Sequence, residues 1–215
     1  MPSTPFVALD DARGDGTRSL ALYSGAHEII TATRRDDVRP VLAALRHHVD
    51  AGRHVAGFLA YEAGHALESR LSVIPERRTE TPLVWFGVFD APQMMSPETL
   101  LGSVLGRSAR VSTPEPGLDA ARYAAALGEV KALIEAGDIY QANLTFPTRL
   151  AIEGHPLALY ARLRRAQRMG HGAVVFTGQE WILSFSPELF FTLSGGVLET
   201  RPMKGTAPRR PLAAD

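Results

Sequence analysis

The sequence contains no cysteine. That absence excludes disulfides, thiolate metal centres and a cysteine nucleophile together, and it leads to the expectation of a cytoplasmic protein. Neither sign of charge is in excess, because Lys plus Arg and Asp plus Glu number 23 each. The cationic surplus that general nucleic-acid binding draws on is missing, so no nucleic-acid partner is expected. No apolar run approaches the length of about 20 residues needed for a membrane span. The N-terminal MPSTPFVALDDARGDG does not have the basic-then-apolar order of a secretory leader, so no membrane association is expected either. The phosphate-loop, dinucleotide and zinc-protease motifs GxxxxGK[ST], GxGxxG and HExxH do not occur, and neither does the GxSxG elbow of hydrolases. The seven histidines are scattered. His47 and His48, adjacent on a predicted helix, point about 100° apart, which suits solvated side chains and not joint metal ligation.

What is present suffices for a core: 45% of the 215 residues are hydrophobic, enough for one large domain or two small ones. Residues 1–35 predict two short strands, Phe6, Val7 and Leu9 on one side of an Arg-Gly-Asp-Gly turn and Leu20, Leu22 and Tyr23 on the other. Arg13-Gly14-Asp15 spells an adhesion tripeptide, but so short a string reads better as a turn. The spacing of Val38, Val41, Leu42, Leu45 and Val49 predicts an amphipathic helix behind an Asp-Asp cap, closed before Gly52. Val55–Tyr61 and Leu83–Phe89 predict buried strands, separated by a charged, proline-containing excursion. Ser112-Thr113-Pro114-Glu115-Pro116-Gly117 continues neither a helix nor a ladder, which predicts a linker and divides the chain into 1–113 and 119–215. Asp119 then caps a helix with Tyr123, Leu127, Val130 and Ile134 on one stripe and Gly137 at a left-handed stop. A strand Leu144–Ile152, a helix Pro156–Arg168 and strands near 173–177, 181–185, 188–193 and 197–201 follow. Strands and helices mix without βαβ alternation, so the expected fold class is α+β.

Three segments of the second half set polar residues among strand-like neighbours: Gly137-Asp138-Ile139-Tyr140-Gln141-Ala142-Asn143-Leu144, Ser186-Pro187-Glu188-Leu189-Phe190-Phe191, and Glu199-Thr200-Arg201-Pro202-Met203-Lys204-Gly205-Thr206-Ala207-Pro208-Arg209. Singly, each has an ordinary reading: a surface glutamine after a helix stop, a Ser-Pro-Glu turn, a solvated lysine. Together and in this order they resemble the signature blocks of the chorismate-utilising enzymes, the family of anthranilate synthase component I, aminodeoxychorismate synthase component I and the isochorismate and salicylate synthases. Gly57-Phe58-Leu59-Ala60-Tyr61-Glu62 and Pro82-Leu83-Val84-Trp85-Phe86-Gly87-Val88-Phe89 are similar to strands of its amine-forming members. The resemblance covers nearly all of the chain but only about the first half of the family's length.

The resemblance implies a layered β-sandwich with flanking helices of the anthranilate synthase component I type, incomplete here, with 119–215 as the first part of the chorismate-binding domain. It also implies roles. Isochorismate and salicylate synthases carry a water-activating lysine where this chain has Gln141, so Gln141 is a candidate substrate-binding residue and water addition at C2 is disfavoured. Lys204 matches the lysine of the branch that forms 4-amino-4-deoxychorismate on the route to 4-aminobenzoate and folate, where anthranilate synthases have alanine. As nucleophile its amine must be neutral, which desolvation or the neighbouring Arg201 and Arg209 would favour. Glu188, among Phe185, Leu189 and Phe190, matches the general acid that protonates the departing hydroxyl. Arg201, Gly205 and Thr206 are further substrate-binding candidates, the last two through backbone amides or else as no more than a tight turn. The implied partners are chorismate and a glutamine amidotransferase subunit supplying ammonia. The implied cofactor is magnesium, its glutamate ligands expected in the C-terminal portion beyond Asp215, so the chain is expected to be an inactive piece of the catalyst. Arg210 stands where the family usually has glycine. Two alternatives remain open: an anthranilate synthase component I, and a non-catalytic module binding an aromatic amino acid such as tryptophan between its sheets.

Overall fold

The computed structural model describes residues 4–11, 19–76, 80–104, 106–167 and 170–202. Contacts divide the chain into two compact units, one of residues 1–105 with 160–215 and the other of residues 106–159. In chain order the first contains β1 (Phe6–Asp11), β2 (Ser19–Ser24), β3 (Glu28–Ala32), α1 (Val38–Asp50), β4 (His54–Leu59), α2 (Gly64–Leu67), β5 (Val84–Phe89), β6 (Gln93–Met95) and α3 (Pro97–Gly102). The second holds β7 (Ala109–Val111), β8 (Glu115–Pro116), α4 (Ala120–Ala136), β9 (Thr148–Arg149) and β10 (Ile152–Gly154). Helix α5 (Pro156–Ala166) leads back into the first unit, which ends with β11 (His171–Phe176), β12 (Trp181–Ser186), β13 (Leu189–Ser194) and β14 (Val197–Arg201). The class is α+β with antiparallel sheets, as expected.

The first unit is layered. One sheet has the order β12-β11-β1-β2-β6 and the other β3-β5-β4. Strand β1 is covered on both faces: Phe6, Val7, Ala8 and Asp10 are buried and only Leu9 is open. Its period-2 alternation sends Val7 one way and Phe6, Ala8 and Asp10 the other. Val7, Val175, Tyr23 and Ile182 meet Ala56, Phe58, Trp85 and Phe89 between the sheets. The opposite face of the three-stranded sheet, through Ala32, Val55, Val84 and Phe86, receives Val38, Val41, Leu42 and Leu45 of α1. Each fully covered valine or leucine contributes about 1.5–3 kcal/mol of apolar burial, so these two seams carry the unit. Gly57 lies where the ladder is tightest, since a Cβ there would come within 2.0 Å of the Trp85 carbonyl oxygen.

Several local expectations change in the folded chain. The Asp-Asp cap of α1 is not used, because Asp37 makes no side-chain cap bond and a 3₁₀ turn at Arg35–Asp37 leads into the helix instead. The cap of α4 is used: Asp119 Oδ1 accepts the Arg122 N–H at 2.8 Å, and Gly137 ends the helix at φ 83°. The expected strand Leu144–Ile152 is broken into β9 and β10, in keeping with Pro147, which has no N–H to give a ladder. The Pro147 carbonyl accepts the Gly117 N–H at 2.8 Å. The expected linker 112–117 lies inside the second unit. Within it β8 pairs with β9, and next to the β7–β10 pairing the Ser112 N–H reaches the Ala151 carbonyl at 2.9 Å. Residues 13–15 lie outside the described residues.

Candidate functional site

Glu188 sits in the turn between β12 and β13. The Ser186 hydroxyl accepts the Glu188 N–H at 3.1 Å and donates to the Glu188 carbonyl at 2.9 Å, so a short serine turn holds the backbone across Pro187. The Glu188 side chain is exposed. Of the apolar neighbours expected around it, Phe185 stacks on Tyr160 at 4.9 Å and Leu189 is half-buried, whereas Phe190 is 81% exposed. The carboxyl therefore stands exposed to solvent in the turn between β12 and β13, with no apolar enclosure formed by the described residues.

Arg201 closes β14, where its Nε pairs with the Glu199 carboxylate. That pairing offsets the cation expected to act on a neighbouring amine. Gln141 belongs to the second unit, on the segment after α4, where its Nε2 donates to Asn143 Oδ1 at 2.7 Å. Both side chains are exposed. Lys204, Gly205, Thr206, Arg209 and Arg210 lie outside the described residues. Among the described residues no group of three or more His, Asp or Glu side chains could hold a metal ion.

Two features were not legible as sites. One is a buried cluster: Asp10, 3% exposed, accepts the Tyr160 hydroxyl at 2.9 Å and a two-point contact from Arg164, whose Nη2 is at 3.0 Å. Burial first, and then the adjacent Asp10 charge, push the Tyr160 hydroxyl well above its usual range. The hydrogen bond to Asp10 chiefly keeps the Arg164 pKa raised. The only signal in the sequence is the alternation of β1, which puts Asp10 on the Phe6 and Ala8 side. The other feature is a cavity of about 300 Å³ on the opposite face of the same sheet, where Leu9, Asp11, Ser19, Ala21, Met94 and His171 line it together with Asp10 and Gly172. Register explains it: Leu9 opposes Ala21, Ala21 opposes Met94, and Asp11 opposes both Ser19 and His171, so the six share one face.

Comparison with known sequences places this architecture in a class. The description "chorismate binding enzyme" matches residues 4–215, and the chain belongs to that family. More particularly, aminodeoxychorismate synthase component 1 of Salmonella typhimurium is 39% identical over 87 residues, 40% of this chain and 19% of that protein. The protein of the same name from Escherichia coli is 33% identical over 90 residues, 42% of this chain and 20% of that protein. Anthranilate synthase component 1 of Saccharolobus solfataricus is 30% identical over 100 residues, 46% of this chain and 24% of that protein. The matched part of the chain thus spans a quarter or less of the length of these curated relatives.

Proposed function

We propose that this chain carries the nucleophile and the proton donor of an aminodeoxychorismate synthase component I, which replaces the C4 hydroxyl of chorismate by an amine. The observation that carries the reading is Lys204 within Pro202-Met203-Lys204-Gly205-Thr206, the residue that separates this branch from anthranilate synthases, in a chain matched by the family along residues 4–215. In this reading the Lys204 amine forms a bond to C2, the ring double bonds shift, and the C4 hydroxyl leaves as water with a proton from Glu188. Ammonia then forms the C4–N bond, the double bonds shift back and the C2–Nζ bond breaks, which regenerates the lysine, while the proton shed by the new C4 ammonium restores the Glu188 acid. Two successive displacements keep the stereochemistry at C4. Gln141, Arg201, Gly205 and Thr206 hold the substrate, and a cytoplasmic glutamine amidotransferase subunit supplies the ammonia. The test is Lys204→Ala in the full-length protein, with products of chorismate and ammonia separated chromatographically. Aminodeoxychorismate formation should fall by orders of magnitude, with some anthranilate-like product remaining, whereas a wild-type rate refutes the covalent role.

The cavity supports a second reading, in which the sheet face binds an aromatic amino acid. Leu9, Ala21 and Met94 offer an apolar wall, and the Ser19 hydroxyl offers an acceptor for an ammonium group. Titration with tryptophan, with and without Ala21→Phe to fill the space, separates a binding cavity from an empty one.

A further inference from the structure

Asp10, Gly172 and Phe185 form one row across β1, β11 and β12, since Asp10 opposes Gly172 and Gly172 opposes Phe185. Residues directly opposite on neighbouring strands send their side chains to the same face. Phe6, Phe176 and Trp181 do so in another row of the same three strands, with ring centroids 4.6–6.2 Å apart. In the Asp10 row the middle position has no side chain, and Tyr160 of α5 spans the gap. Its hydroxyl donates to Asp10 at 2.9 Å, and its ring stacks on Phe185 at 4.9 Å with 27° between the planes. A side chain at 172 would stand on the face that Tyr160 crosses, which accounts for a glycine inside the strand. Tyr160 is fully buried and Asp10 also holds Arg164, so the ring is fixed from the β1 side. Phe185, half-buried, directly precedes Ser186, whose hydroxyl makes both hydrogen bonds that shape the Ser186-Pro187-Glu188 turn. All of these residues belong to the first unit.

We propose that Tyr160 is a positioning residue for Glu188: through its stack on Phe185 it fixes the start of the turn that presents the Glu188 carboxyl. The proposal rests on the proton-donor role given to Glu188 above and concerns what holds that acid in place. The carboxyl is exposed and has no apolar walls among the described residues, so the backbone that carries it sets its direction. That backbone has little support from the sheets. Strand β12 is the last in the order β12-β11-β1-β2-β6, paired on one side only, and β13 with β14 forms a separate two-stranded ribbon. The turn therefore joins an edge strand to another sheet, and the end of β12 is steadied by its ladder to β11 and by the ring beneath Phe185. General-acid catalysis needs the donor within hydrogen-bond reach of the leaving oxygen. A misplacement of about 1 Å costs about a hundredfold in rate. An aliphatic side chain in place of the Tyr160 ring removes the flat, stiff surface against Phe185 and lets the turn sample more directions.

The experiment uses the full-length protein with chorismate and excess ammonia, and reads kcat and KM per folded molecule, with folding checked by circular dichroism. Tyr160→Leu should lower kcat about tenfold with little change in KM for chorismate. Tyr160→Phe keeps the ring and loses the bond to Asp10; it should be less stable but stay within about threefold of the wild-type kcat. Phe185→Leu removes the stack from the other end, leaves the buried Asp10, Tyr160 and Arg164 in place, and should match Tyr160→Leu. In a Glu188→Gln background neither leucine variant should lower kcat further, because no acid remains to be positioned. A role confined to stability would lower the folded fraction alike with and without the acid. Leucine variants with wild-type kcat, a Tyr160→Phe as slow as Tyr160→Leu, or losses that multiply with that of Glu188→Gln would overturn the positioning role while leaving the acid reading intact. Glu188→Gln at the wild-type rate would remove the acid reading and this role with it.

Discussion

Asp10→Asn tests the energetics of the first unit most directly. The wild-type carboxylate is buried and accepts three hydrogen bonds, one from Tyr160 and two from Arg164, whose side chain is only 11% exposed. Asparagine keeps the shape but turns one acceptor into an NH₂ donor facing the guanidinium, and it removes the charge that compensates Arg164. Breaking one side of a buried pair costs about 3–5 kcal/mol because the other charge is left buried. At about 2–4 °C per kcal/mol for a chain of this size, Tm should fall by about 6–20 °C. Trp85 and Trp181 lie in the two facing sheets, so tryptophan fluorescence in a urea or thermal titration reports the unit itself. The argument further requires non-additivity. Arg164→Leu should be similarly destabilising alone, whereas Asp10→Leu with Arg164→Leu should recover a large part of the loss, since no unpaired charge remains. A Tm change under about 2 °C for Asp10→Asn, or a double variant whose loss is the sum of the singles, would mean that the pair is solvated and not a fastening of α5 to β1.

Other expectations are independent of that cluster. The Tyr160 hydroxyl has its pKa raised above its ordinary value of 10.0, so its contribution is complete below pH 10 and is lost as pH rises, when the unfolded chain ionises and the folded one does not. Alkaline titration of stability should show this fall, reduced in Tyr160→Phe. His155 Nδ1 accepts the Leu157 N–H at 3.1 Å, and burial first, then the Arg107 charge, lower its pKa below 6.5. Stability of the second unit should therefore be complete above pH 6.5 and fall below it, as the unfolded chain takes up the proton first; His155→Ser should flatten that dependence. Asp119→Ala should cost about 1 kcal/mol and lower amide protection at the start of α4, measured by hydrogen exchange. Residues 1–215 alone, given chorismate, magnesium and ammonia, should show no turnover and should aggregate, given Phe190, Leu193, Val197 and Leu198 at 63–81% exposure. Turnover by the chain alone would mean that the proposed division of the machinery is misplaced.

The sequence by itself determined what short-range physics controls. The capped helix 120–136 with its glycine stop, the helix 38–50 with its 3.6-residue stripe, and the hairpin strands 189–194 and 197–201 are all written in neighbours a few residues apart. The family blocks around Gln141, Glu188 and Lys204 were legible for the same reason, as strings. Only the tertiary structure decided which strands pair. It places β1 beside β11 across about 160 residues, with Phe6 opposite Phe176, and it turns the proline-rich stretch 112–117 from a linker into a partner of 147–151. Alternation marks a face but does not name the strand that will cover it, and proline forbids a donor without forbidding an acceptor. The Asp10–Arg164 pair is the clearest case. An aspartate at the end of a strand reads as solvated until a helix more than 150 residues later brings the only charge that makes its burial tolerable.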